Sequence, residues 1–334
     1  MTDLSGLRLS VLDTVPVWRG SSAARSLRNS VDLARRAEAL GYTRYWVAEH
    51  HNTPCLATSA PPVLIAQIAS ATTTIRVGSG GVLLPNHAPL TVAEQFGTLE
   101  AFHPGRVDLG VGRASGTDPA AAHLLRRGLP PAEEDFPGLL DELLGYLTPG
   151  GPPSGVRAVP QADTRTPVYL LGTSTSSARL AGSLGLPYAY AHQIAPAGTA
   201  AALEAYRNAF EASAWLDRPY AIVAPTVVVA ESGERARWLA RGFVAGQLLI
   251  RTEDRFTLFP TAEEAERRSF APSGERFIRE RLDPQIIGDP GTVRDRLTEL
   301  VKHSGADEVM ALTMVSDHEA RVRSYELLAE LAHP

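Results

Sequence analysis

Residues Val47 to Asn52 read VAEHHN, a carboxylate and two imidazoles directly behind an apolar run. Such a group can ligate a metal, move protons or simply pack. Neighbouring side chains on an extended strand point to opposite faces, so His50 and His51 are not expected to turn to one ion. His87, His103 and His192 widen the choice of ligands, but the chain has neither HExxH nor HxH spacing, and no metal site is expected. His50, with an ordinary imidazole value near about 6.5, suits proton transfer.

A second constellation is LGTSTSSARLAG, in which Thr173, Ser174, Thr175, Ser176 and Ser177 open a helix. Free N–H groups at a helix start favour an anion, and hydroxyls add donors. An ordinary N-cap needs only one of the five, so the run reads as a phosphate seat. Arg113, in GVGRASG, is placed to supply the opposing positive charge. That segment also matches the dinucleotide fingerprint, with Glu133 near the acidic position, but it follows a fourth strand where a Rossmann fingerprint follows a first. Gly78, Gly80 and Gly81 surround Ser79, which suits either a flat ligand lying on backbone or a bulge with close strand packing. Trp18, His87 and Tyr190 are candidate pocket-lining residues beside Phe256 or Phe259.

These residues need a scaffold that brings distant loops together. Strand patterns occur near Leu7–Leu12, Arg44–Ala48, Thr74–Gly78, Arg106–Val111, Thr166–Leu171, Pro187–Tyr190, Tyr220–Val229 and Asp307–Leu312. Helical patterns lie between them, including Asp118–Thr148 and a helix from Ser232 into Gly246. Eight strand–helix units at a spacing of about 30 residues predict a (β/α)8 TIM barrel over residues 1–334, a single domain. In that fold the site forms at the C-terminal ends of the strands, where every candidate above falls. Residues 247–287 lack a clean pattern and are expected to insert as an active-site lid at that face.

A net charge of −5 provides no basic face for nucleic acid, and no run approaches the roughly 20 apolar residues of a membrane span. MTDLSGLRLS lacks a basic stretch followed by an apolar one, so a cytoplasmic location is expected. Cys55 is the only cysteine, which leaves redox chemistry to a bound cofactor.

Together RYWVAEHHN, IRVGSGGVLLPNHAPLTVAEQFGTLEAFHPGRVDLGVGRASGTDP and LLGTSTSSARLAGSLGLPYAYAHQIAP resemble the bacterial luciferase-like flavin monooxygenases along nearly the whole chain. The likeness is greatest to the branch that includes aromatic-polyketide tailoring oxygenases of the mensacarcin type. The resemblance implies a (β/α)8 barrel binding FMN as FMNH2 from a separate NAD(P)H:flavin reductase. It also implies activation of O2 as a flavin C4a-hydroperoxide, with oxygen passed to a small organic substrate by hydroxylation, epoxidation or insertion. Carried over by motif, His50 is the catalytic histidine, Arg113 with Thr173, Ser174 and Ser177 holds the phosphate, and Ser79, Gly80 and Gly81 support the ring at a non-prolyl cis peptide. His192 takes the place of an aromatic residue near the flavin. Gly112 stands where luciferase has a reactive cysteine, which speaks against light emission. A homodimer through the second and third helices is implied as well. Two rival readings are an F420-dependent hydride-transfer enzyme of the same superfamily and a flavin-binding protein without turnover.

Overall fold

The computed structural model describes residues 4–126, 135–148, 150–152, 154–161 and 164–332. Its strands, in chain order, are β1 (Arg8–Asp13), β2 (Arg44–Val47), β3 (Arg76–Leu83), β4 (Val107–Gly112), β5 (Val168–Gly172), β6 (Tyr188–Tyr190), β7 (Ala221–Val223), β8 (Val227–Val229), β9 (Ile286–Gly288) and β10 (Glu308–Leu312). Eight of them close a barrel in the order β1-β10-β7-β6-β5-β4-β3-β2, every pair parallel. The predicted (β/α)8 fold is therefore the observed one.

Around the barrel run α1 (Ala23–Ala39), α2 (Pro61–Ala71), α3 (Pro89–Phe102), α4 (Pro119–Leu125), α5 (Phe136–Leu147), α6 (Thr175–Ser183), α7 (Thr199–Asn208), α8 (Gly233–Thr252), α9 (Ala262–Arg267), α10 (Pro272–Leu282), α11 (Pro290–Ser304) and α12 (His318–Ala332). Local chemistry starts them. The Ser22 hydroxyl accepts the Arg25 N–H at the head of α1, and prolines fill the first turn of α2 and α3, where a missing N–H costs nothing. Alternation then sorts each strand. Val11, Tyr45, Val77, Leu109, Leu170 and Val309 pack outward under the helices, while Leu12, Trp46, Tyr169, Ala189, Ile222 and Met310 join a separate apolar cluster inside the barrel.

Three details depart from the sequence expectation. The segment expected as one strand, Tyr220–Val229, is two: Pro225 interrupts it, and β8 leaves the barrel to pair with β9. The helix expected to stop at Gly246 continues to Thr252, so the 247–287 insertion begins inside α8 and adds α9, α10 and β9. The region expected as one helix over Asp118–Thr148 contains α4 and α5, and residues 127–134, Glu133 among them, lie outside the described ones.

At the N-terminal end of the strands the barrel interior is ionic. Arg44 bonds Glu308 at 2.8 and 3.1 Å, Asp108 at 2.7 Å and the Tyr169 hydroxyl at 2.8 Å. Arg76 and the Trp46 indole N–H both donate to Asp108 as well. Arg44, Asp108 and Glu308 are all buried. Removing one partner would strand a buried charge, at a cost on the order of 3–5 kcal/mol.

Candidate active site

Above this ionic floor, at the C-terminal ends of the strands, lies a cavity of about 780 Å³. That volume lies in the range that takes a cofactor together with part of a substrate, roughly 300–1,000 Å³. Its wall collects His50, Gly80, Gly81, Arg113, Thr173, Ser174, Ser177 and Tyr190 from loops more than 100 residues apart in sequence.

β2 ends at Val47, so the two histidines stand just beyond the strand rather than on it. His50 turns to the cavity, its N–H bonded to the Thr58 carbonyl at 3.0 Å and its Nδ1 3.3 Å from the Thr58 hydroxyl. Burial pulls its pKa down to about 4, against the opposing field of Glu49. The imidazole is thus neutral at neutral pH, a proton acceptor there rather than the half-protonated shuttle that an ordinary value would imply.

Glu49 and His51 do different work. Oε1 of Glu49 lies 2.7 Å from His51 Nε2 and 2.8 Å from His87 Nε2, and Oε2 accepts the Leu83 N–H at 3.1 Å. Burial alone would raise the carboxyl's pKa, yet the bonds from His51, His87 and Leu83 bring it to about 2. Ligand atoms of Glu49, His51 and His87 lie within 4.8 Å of one another, close enough for a cation, a grouping that strand alternation at His50 and His51 did not anticipate. Both imidazoles already meet the same carboxylate oxygen, which ties the loop after β2 to the loop after β3.

The glycine-rich end of β3 answers both earlier alternatives. The pairing with β4 shifts register between Ser79 and Val82, and a Cβ on Gly81 would come within 2.8 Å of the Gly110 carbonyl oxygen, so close packing is real. Gly80 and Gly81 nonetheless border the cavity, and the peptide between them is cis. Ser79 does not reach the cavity: its buried hydroxyl accepts the Gly110 N–H at 3.0 Å and donates to the Gly110 carbonyl at 2.8 Å.

At the head of α6 one hydroxyl serves as the cap, Ser174 Oγ accepting the Ser177 N–H at 3.2 Å. The Ser177 hydroxyl bonds the Ser174 carbonyl and Tyr188, while the exposed Thr173 lines the cavity beside them. Arg113, past β4, faces the same space with no hydrogen bond or ion pair to a described residue. A guanidinium, a helix start and hydroxyls around one void are the donor set a phosphate needs, so these residues fit a flavin nucleotide. A Cβ on Gly112 would meet only a Leu83 methyl, at 3.5 Å, so this wall has room to spare.

Three further expected residues lie elsewhere. His192 is buried with Nδ1 2.7 Å from the Thr199 hydroxyl and borders a different groove, near Arg296 and His303. Burial and Arg296 hold it down to about 4. The next residue, Gln193, occupies the cavity wall instead, because β6 ends at Tyr190 and the turn rotates the faces by one. Trp18 stands behind the wall, its ring 5.5 Å from Phe259, and His87 is committed to Glu49. Tyr190 lines the cavity, but its hydroxyl donates to the Ala195 carbonyl at 2.7 Å. Sequence reasoning missed Gln193, Gln247, Arg251, Phe277 and Arg281, which line the cavity from the loop after β6 and from α8 and α10. Only the basic, aromatic character of the insertion hinted at them.

The sequence profile of the luciferase-like monooxygenases matches residues 7–308. The chain is 40% identical over 331 residues to an Escherichia coli K12 protein described as a luciferase-like monooxygenase, covering 99% of this chain and 98% of that one. It is also 40% identical over 210 residues to the N-acetyl-S-alkylcysteine monooxygenase of Bacillus subtilis strain 168, 62% of each chain. The solved structure of apo-MsnO8 superposes with a TM-score of 0.89 at 40% identity, covering 97% of this chain and 98% of that one.

Proposed function

This chain belongs to the luciferase-like monooxygenase family, and from that membership we propose that it is an FMNH2-dependent monooxygenase of the two-component kind, served by a separate NAD(P)H:flavin reductase. The observation that carries the reading is the convergence on one cavity of Arg113, the Ser174–Ser177 helix start, the Gly80–Gly81 backbone and a neutral His50. Arg113 and the head of α6 would hold the phosphate, and Gly80 and Gly81 would lie under the ring. Bound there, reduced flavin would supply the two electrons with which one oxygen atom of O2 goes to an organic substrate and the other to water.

The chain's own contribution is positioning and proton handling. The Glu49 bonds to both loops fix the backbone on either side of His50, which accepts a proton from the reacting substrate while Thr58 orients its ring. Phe243, Phe259 and Phe277 line the outer cavity and exclude water, with the 247–287 insertion acting as a lid. Their aromatic faces suit a planar substrate of polyketide type, and equally the apolar arm of a thioether such as the Bacillus relative's name describes. Val63 on α2 and Phe102 on α3 are exposed apolar residues consistent with a homodimer through these helices. Among the described residues no helix is long and apolar enough to cross a membrane.

The test is to supply the protein with FMN, a flavin reductase and NADH under labelled O2. Substrate-dependent oxygen uptake with one labelled atom in the product is the expected result. Reduction of F420 by a secondary alcohol, without oxygen uptake, would replace this reading by hydride transfer, and FMN binding without either reaction would make the chain a carrier.

A further inference from the structure

At the end of the cavity formed by the insertion, two arginines project from different helices. Arg251 of α8 and Arg281 of α10 both line the void, with guanidinium carbons 5.7 and 5.5 Å from the centre of the Phe277 ring. Neither has a hydrogen bond or ion pair to a described residue, and the one acid bordering the cavity among those residues, Glu49, is fully engaged by His51, His87 and Leu83. Both guanidinium groups are exposed at the cavity's edge, where water screens their repulsion and the Phe277 ring attracts each of them, which leaves two unpaired cations free to take an anion.

An independent observation lies behind Arg281. A small annex of about 30 Å³, sharing Gln193, Gln247 and Arg281 with the main cavity, is lined by Gln285 as well. Gln285 is 8% exposed, and its amide oxygen has no hydrogen-bond partner; the amide oxygen of Gln193 is orphaned in the same way. Buried acceptors left unpaired cost about 1–3 kcal/mol each, so the annex is shaped for a group that brings a donor.

We infer that this end of the cavity is the seat of the substrate's polar head, a carboxylate held by Arg251 and Arg281 with an adjacent N–H or O–H directed to the glutamine oxygens. The substrate is then an organic acid of the N-acylated amino-acid class, its apolar arm running between Phe277 and the ring site. This deepens the monooxygenase reading and rests on it for the fate of the bound acid, whereas binding of the acid itself requires no flavin.

The experiment is equilibrium dialysis of three acids, N-acetyl-S-benzylcysteine, N-acetylphenylalanine and N-acetylmethionine, each against its methyl ester. It is run on the FMN-free protein, the FMN-loaded protein and the variants R251Q, R281Q and R281K, with FMN and riboflavin titrated on the same samples. Binding of at least one acid about tenfold or more tighter than its ester, lost in R281Q, weakened in R251Q and partly restored in R281K, is expected. Equal binding of acids and esters, or binding of neither by folded protein, overturns the inference. So does a loss of FMN relative to riboflavin in R251Q or R281Q, which would make the pair a flavin-phosphate seat. Failure of FMN to bind at all, with acid selectivity intact, would instead sink the flavin reading and leave the acid seat standing.

Discussion

Replacing Glu49 by glutamine should cost stability in a way that depends on pH, because the carboxylate joins the loops after β2 and β3 through three hydrogen bonds. Its pKa falls from an ordinary 4.5 to about 2, and the side chain is almost wholly buried, 1% exposed. A shift of roughly 2.5 units at about 1.4 kcal/mol each corresponds to about 3 kcal/mol. A carboxyl with a depressed folded-state pKa contributes this stability in full above 4.5, and the contribution disappears as pH falls through about 2. The E49Q protein should therefore be less stable than the parent by about 3 kcal/mol at neutral pH, with the gap closing steadily below about pH 4.5. Urea unfolding followed by circular dichroism on both proteins, from neutral pH to about pH 3, measures it, and taking the difference removes the titrating groups that Glu49 does not touch, that is, all but His51 and His87. A gap that stayed constant over this range would refute the ionic account, leaving the loss of Glu49 as one of packing alone.

Four other outcomes follow from the same geometry. H50Q should bind FMN as the parent does but lose turnover, and the parent's rate should stay level down to about pH 5 and fall through pH 4 as the depressed imidazole protonates; a pH–rate profile breaking near pH 6.5 would contradict the burial of His50. R113Q should weaken FMN by about ten- to a hundredfold while leaving riboflavin unchanged, read by flavin fluorescence. G112C should fold and bind flavin normally, since its Cβ meets only a movable methyl at 3.5 Å, whereas G110A should be markedly destabilised because the new Cβ would overlap the Ser79 carbonyl oxygen, as thermal melts would report. Sedimentation of the parent and of V63D/F102D tests the α2–α3 dimer: a dimer turned monomer is expected, and a monomeric parent would end the proposal.

The barrel was legible because each of its eight units repeats a local signal, a short apolar strand followed by a helix, most often with proline or serine at its head. Arg113, Gly80, Gly81 and the Ser174–Ser177 start were legible for the same reason, since each sits in or just past the C-terminal end of a strand and the fold sends all such positions to one rim. What local pattern could not convey was direction after a strand ends. His192 and Gln193 differ by one position along a turn, and only the turn's path decides which enters the cavity. Pro225 was visible, but its consequence, a strand that deserts the barrel for β9, depends on a partner some 60 residues away. The meeting of Arg44, Asp108 and Glu308 inside the barrel is a matter of closure and register, which no local pattern carries. Arg251, Arg281 and Gln285 lay in the segment with the weakest periodicity, so their convergence had no sequence signature.

The ionic floor also sets a traffic rule. Arg44, Asp108, Glu308, Tyr169 and Trp46 close the barrel beneath the cavity, so the described residues leave the upper mouth as the way in and out. The strand-borne ring and phosphate positions lie nearer the barrel, and the Arg251–Arg281 seat lies toward the insertion. Arg113 and Thr173 are exposed, however, so the phosphate end keeps its own opening to solvent while an acid at the outer seat covers the insertion side. If flavin and acid take these two ends, each has its own way in, so neither has to wait for the other and an excess of substrate should leave the exchange of flavin unhindered.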